Sequence, residues 1–172
     1  MLLDFGMVGQ QFLDMHIRNA SVADLDAIIA LSAFVQRQHS HAQPEWFKAS
    51  TDPEQTRDAF RGFLTDPASL VLLAEAEQPA GYLWAQFQNR ADGWARFAMR
   101  LLYIQHVAVA PGFRRKGIGS LLLNKAIEIA RLKGIKRVEL DVWSFNTDAK
   151  SFYSKHGFEV FNERMALRGL CE

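Results

Sequence analysis

The segment Arg114-Arg115-Lys116-Gly117-Ile118-Gly119 sits where a strand-like run, 101–109, gives way to a helix-like run, 120–133. A strand that turns straight into a helix leaves the first helical N–H groups without intrahelical acceptors. Those groups and the helix dipole attract an anion. Gly117 and Gly119 let a ligand come close to the backbone, and the cations at 114–116 supply a local positive field that the chain as a whole, at net +1, lacks. The junction reads as a diphosphate-binding loop inside an α/β fold. Two better-known phosphate loops do not match: G-x-G-x-x-G would use Gly117 and Gly119 but meets Leu122, and G-x-x-x-x-G-K-[ST] would run from Gly112 to Gly117 but meets Ile118 where lysine is required. On this segment alone, a basic surface turn that merely permits a bend stays open.

The order of elements around the loop narrows the fold. Residues 16–19 form a short strand, and Ser21-Val22-Ala23-Asp24 opens a helix with the apolar stripe Leu25, Ile28, Ile29, Ser32 and Val35. A polar and aromatic loop is expected over 39–50. Thr51-Asp52-Pro53-Glu54 starts a second helix carrying Phe60, Phe63 and Leu64, and Thr65-Asp66-Pro67 stops it. Runs 69–75 and 81–88 read as a hairpin, and 100–109 as a long, largely buried strand. Past the loop come a helix ending at Gly134, a strand over 138–143, a helix from Asn146 or Thr147 to Gly157, and a closing strand over 158–167. The expected order is β-α-α-β-β-β-α-β-α-β: a mixed central sheet with helices on both faces.

At 172 residues the chain fits one domain, expected to span 15–172 behind a loosely ordered extension, 1–14. Twenty Lys and Arg against 19 Asp and Glu argue against a non-specific nucleic-acid binder. The one cysteine, Cys171, allows no intrachain disulfide and no cysteine zinc cluster, and no apolar run is long enough for a signal or a membrane span. A cytoplasmic protein without membrane or nucleic-acid partners is expected. His39 and His41 have no third ligand at metal spacing, so no metal site is expected.

Two separate blocks carry a family resemblance: Val107-Ala108-Val109-Ala110-Pro111 with the R-x-x-G-x-G loop at Arg114 to Gly119, and Glu139-Leu140-Asp141-Val142 followed by Asn146, Ala149, Phe152, Tyr153, Gly157 and Phe158. Over about 15–167 the chain resembles the GNAT superfamily of acyl-CoA-dependent N-acyltransferases. The resemblance implies a GNAT-like α/β fold, acetyl-CoA as cofactor, and acetyl transfer to a primary amine of a small molecule or peptide by direct attack. It implies that the loop N–H groups of Arg114, Arg115, Lys116, Gly117, Ile118, Gly119 and Ser120 hold the diphosphate, and that the strand edge at Val107, Ala108 and Val109 bonds the pantetheine amides. Asn146 would contact the cofactor arm, and Tyr153 would lie beside the sulfur and protonate the leaving thiolate. Asn146 also reads as a helix N-cap, and Tyr153 as a half-buried aromatic with one hydrogen bond.

An alkylamine, with a pKa near that of lysine at about 10.4, must lose a proton before attack. Strict alternation along 100–109 places Tyr103, Gln105 and Val107 on one face and Ile104, His106 and Ala108 on the other. Tyr103 and Gln105 thus occupy the places where relatives carry a base, and His106 points away. A water held by Gln105 or a carboxylate such as Glu45 remains open. Glu45, Phe47 and Trp84 are candidates to receive a cationic amine, with packing of the loop or a homodimer contact as the alternative. A catalytically silent acyl-CoA-binding module and a protein N-terminal or lysine acetyltransferase are competing functions.

Overall fold

In the computed structural model, residues 15–167 are described, so the expectations for 1–14 and Cys171 lie outside the described residues. Strand β1 (His16–Asn19) lies antiparallel to β2 (Ser69–Glu75), β2 to β3 (Pro79–Arg90), and β3 to β4 (Met99–Val109), while β5 (Val138–Leu140) runs parallel to β4. The five-stranded sheet keeps the chain order, β1-β2-β3-β4-β5. Helices α1 (Leu25–Ala42) and α2 (Pro53–Thr65) connect β1 to β2, α3 (Ile118–Leu132) makes the β4–β5 crossover, and α4 (Thr147–Lys155) follows. The chain divides after Asp141 into two compact units, the first holding the sheet with α1 to α3 and the second holding α4.

Local chemistry fixes these elements. Asp52 caps α2 by accepting from the Gln55 N–H at 2.8 Å, with Pro53 in the first turn. Arg18 on β1 binds Asp24 at 2.7 and 2.9 Å and Glu75 at 2.8 and 2.9 Å, tying the edge strand to the entry of α1 and to β2. The Arg18 guanidinium holds the Asp24 carboxyl down at about 2.

One face of the sheet buries Val71, Leu73, Tyr82 and Ala108 against Ile28 and Leu31 of α1 and Phe63 of α2. Helix α3 packs on β2, β3 and β4 through a second stripe, Ile118, Leu122, Leu123, Ala126 and Ala130, at helical spacing and outside that cluster. Each fully buried Leu or Ile contributes roughly 1.5–3 kcal/mol relative to exposure. Helices therefore cover both faces, as expected.

Four expectations change. Helix α1 runs on to Ala42, so His39 and His41 are helical rather than in a loop. Strand β5 stops at Leu140, and 141–143 is irregular. No strand forms over 158–167, where Val160, Phe161, Met165 and Leu167 are exposed. A strand needs a neighbouring ladder as well as β-prone residues, and no ladder pairing includes this segment. The fourth change, a bulge in β4, reorganises the functional face.

Candidate functional site

Ladder pairing between β3 and β4 slips by one residue: Trp84 faces His106 but Ala85 faces Ile104, leaving Gln105 as the extra residue of a β-bulge. Directly paired residues share a face. Tyr103, opposite Gln86, and His106, opposite Trp84, therefore lie on the same side as Tyr82 and Ala108, the side covered by α1 and α2. Val107, opposite Leu83, takes the other face. Strict alternation is thus corrected: Tyr103 and His106 lie together and Val107 apart. The signal was present as two adjacent polar residues, Gln105-His106, within a buried strand, since regular alternation would force one of them under α3.

Gln105 is exposed, and its Nε2 donates to Gln86 Oε1 at 2.8 Å. His106 shares a short hydrogen bond with the buried Tyr82 hydroxyl. Burial, with the nearby His39, lowers the His106 ring to about 4, so it is neutral at physiological pH. Burial raises Tyr82 above the usual tyrosine range, and desolvation also lowers His39. Tyr103 is raised as well, by desolvation and then by its hydrogen bond to Asp141 at the end of β5. Neither His106 nor either tyrosine is a ready base near pH 7.

Strand β5 pairs with β4 only from Leu102 to Ile104. Beyond Ile104, β4 is laddered to β3 alone, so the backbone groups of 105–109 on the other side meet no strand among the described residues. Such an edge is ready to take an amide-bearing chain as an extra strand. Val107 and Val109 are half-buried on this stretch and Ala108 is core.

The edge runs into the basic loop. After a 3-10 turn at Pro111–Phe113, Arg115 takes φ 62° and Gly117 φ 82°, the latter at the N-cap of α3. A left-handed residue followed by right-handed ones tips successive N–H groups toward one point, a concavity that suits an anion. The first α3 ladder bond is Leu121 N–H to Gly117 O, and no acceptor among the described residues takes the N–H groups of Ile118, Gly119 and Ser120. Arg114, Arg115 and Lys116 are exposed. Arg114 Nε donates to Val109 O at 3.2 Å, tying the loop to the strand end, and Lys116 lies 5.7 Å from the Phe113 ring centroid. The Ile118 side chain is core, so only its N–H faces the concavity.

Asn146 and Tyr153 belong to the second unit. Asn146 Oδ1 accepts from the Ala149 N–H at 3.1 Å, the capping bond expected of it. At the far end Phe158 N–H bonds Tyr153 O and Gly157 N–H bonds Ser154 O, with Gly157 at φ 81°. This is a Schellman terminator, and its apolar contact is Phe158 edge-on to the Tyr153 ring at 5.6 Å. The Tyr153…Gly157-Phe158 spacing therefore stops the helix and shields the phenol, and burial raises the hydroxyl to about 12. Of the residues expected on the acceptor side, Glu45 is exposed, Phe47 packs against His39 at 4.8 Å, and Trp84 stacks on Phe63 at 4.1 Å while donating to Ser69 Oγ.

Comparison with known proteins places this geometry. Streptothricin acetyltransferase A of Bacillus subtilis is 38% identical over 97 residues, covering 52% of this chain and 53% of its own length, so the match spans about half of that relative. A mutant of the BH1408 protein from Bacillus halodurans superposes with a TM-score of 0.85 at 25% identity, over 90% of this chain and 99% of that one. The aminoglycoside N-acetyltransferase AAC(6')-Iy in complex with CoA gives a TM-score of 0.71 at 17% identity over 91% of this chain and 95% of that one, a likeness of fold. The model of the acetyltransferase (GNAT) family matches residues 35–158. With its five-stranded mixed sheet, one-sided β4 and glycine loop, the chain belongs to the acetyltransferase (GNAT) family.

Proposed function

We propose that the protein transfers an acetyl group from acetyl-CoA to a primary amine. The observation that carries this reading is the continuity of a β4 edge laddered on one side only with a concavity of free N–H groups at the start of α3. An amide-bearing arm fits the first and a diphosphate the second, so the residues present fit coenzyme A. Val107, Ala108 and Val109 bond the arm through their backbone, and Arg114, Arg115, Lys116, Gly117, Ile118, Gly119 and Ser120 hold the diphosphate. The thioester, when bound, supplies an activated acetyl group. The protein's part is to orient the amine, exclude water and handle two protons.

On the amine side, Gln105 stands at the bulge and orients the amine or a water that takes its proton. His106 is neutral above about pH 4 and is held by Tyr82, so its part is to shape this face rather than to shuttle the proton. On the thiol side, Tyr153 is the proposed acid and Asn146 the proposed arm contact, both carried by the family pattern of their helix. A hydroxyl raised to about 12 is protonated throughout the neutral range, as an acid must be. The acceptor is a small-molecule or peptide amine, with Glu45, Phe47 and Trp84 as proposed contributors to its surroundings.

The test is an amine panel with acetyl-CoA, followed by thiol release and product mass. Tyr153→Phe lowers kcat by about ten-fold or more at saturating cofactor while leaving acetyl-CoA binding by calorimetry unchanged. Unaltered turnover in pre-steady-state measurements of that variant removes the acid assignment. Cofactor binding with no product from any amine favours a silent acyl-CoA-binding module.

A further inference from the structure

Asp66, just past α2, accepts three hydrogen bonds: the Ala68 N–H on Oδ1 at 2.9 Å, and Ser69 Oγ and Gln86 Nε2 on Oδ2 at 3.1 and 3.3 Å. These bonds, led by the Ala68 N–H, hold its carboxyl below the usual range, so it is ionised and can only accept. Gln86 must then turn its NH2 group toward Asp66 and its carbonyl oxygen away. That oxygen takes the hydrogen bond from Gln105 Nε2 at 2.8 Å. An amide carries its donors and its acceptor on opposite branches, so the second glutamine is fixed in turn. Its NH2 points back to Gln86, and Oε1 is left outward on an exposed residue at the bulge, where no donor among the described residues reaches it. The polarity of both amides follows from the charge at the start of the chain.

We propose that Asp66 and Gln86 are positioning residues that hold Gln105 carbonyl-outward, and that this oxygen accepts an N–H of the amine to be acylated. The inference rests on the amine-acylation reading and names how the acceptor is recognised. The site then offers the incoming nitrogen a fixed acceptor, not an amide free to turn its donors outward.

Asp66→Asn tests it with almost no change of shape. The Ala68 N–H keeps the asparagine oxygen in the Oδ1 place, so its NH2 takes the Oδ2 place and donates to Gln86. Both glutamines then reverse, each link in the chain is kept, and Gln105 presents NH2 to the amine. The amine KM is expected to rise by about ten-fold or more, as for a lost hydrogen bond facing a like donor, with the acetyl-CoA KM within about two-fold. Gln105→Glu accepts whichever way Gln86 faces, so in a Gln105→Glu background Asp66→Asn should move the amine KM by less than about three-fold. An equal amine KM in wild type and Asp66→Asn, or an undiminished rise in the Gln105→Glu background, overturns the proposal while acetyl transfer stands. NMR exchange of the Gln105 side-chain NH2 reads the chain without turnover: it should be slow in wild type and fast in Asp66→Asn. If no amine is acetylated, the transfer reading fails by itself, and unchanged NH2 exchange in Asp66→Asn removes the relay as well.

Discussion

Burial lowers the pKa of the His106 imidazole to about 4, below the ordinary histidine value of about 6.5. Between those values the unfolded chain binds more protons at this residue than the folded one, so stability falls as pH drops through that window. From pH 6.5 to pH 4.5 the loss attributable to His106 is about 2 kcal/mol. Urea midpoints across this range should therefore shift less in His106→Gln, which can still meet the Tyr82 hydroxyl. A pH dependence identical to wild type removes His106 as its source. This residue also shows where sequence reasoning stopped. Its polarity was plain, but its direction depended on a bulge that alternation cannot place, because one extra residue sends every later side chain to the opposite face. The chain from Asp66 to Gln105 was equally hidden. It joins residues far apart in sequence that meet only once β2, β3 and β4 are in register.

The glycine loop shows how much one backbone angle sets. Gly117 holds φ 82° at the α3 N-cap, and a Cβ there would meet nothing within 4 Å, so a substitution acts through the backbone alone. Gly117→Ala is expected to cost about 1–2 kcal/mol, seen as a fall of about 2–4 °C in Tm per kcal/mol. It should also weaken acetyl-CoA binding in calorimetry by turning the free N–H groups away from their common point. Gly117→Asn should lose less, since Asn tolerates left-handed angles better than Ala. Equal effects of Ala and Asn would point to a cause other than φ. Elements with strong local signals were legible in this way: the loop, the caps at Asp52 and Asn146, and the terminator at Gly157-Phe158 all stand where their residues place them. The strand expected over 158–167 had β-prone residues but no local signal for a partner, and pairing is a tertiary fact. Likewise α1 passes through His39 and His41 to Ala42 because nothing in that stretch breaks a helix.

Across the whole molecule, 20 basic residues nearly balance 19 acidic ones, so net charge gives no general attraction for a polyanion. Any preference for a diphosphate has to come from the cations at 114–116 and the free N–H groups behind them. On the proposed reading the β4 edge contributes separately, through amide pairing that carries no charge. Binding to the folded state alone stabilises it by about 2.7 kcal/mol at a ligand concentration of 100 Kd. For a chain of 172 residues that corresponds to a rise of about 5–10 °C in Tm. Acetyl-pantetheine retains the amide arm and thioester but lacks the diphosphate. At the same concentration it should give a clearly smaller shift, one insensitive to salt. The acetyl-CoA shift should shrink in 0.5 M salt, where the Debye length is about 4 Å, in proportion to how exposed the loop cations are. Thermal unfolding with the two ligands at low and high salt separates the contributions. Equal shifts at both salts would mean that the edge alone holds the cofactor and that Arg114 to Ser120 do not anchor its diphosphate.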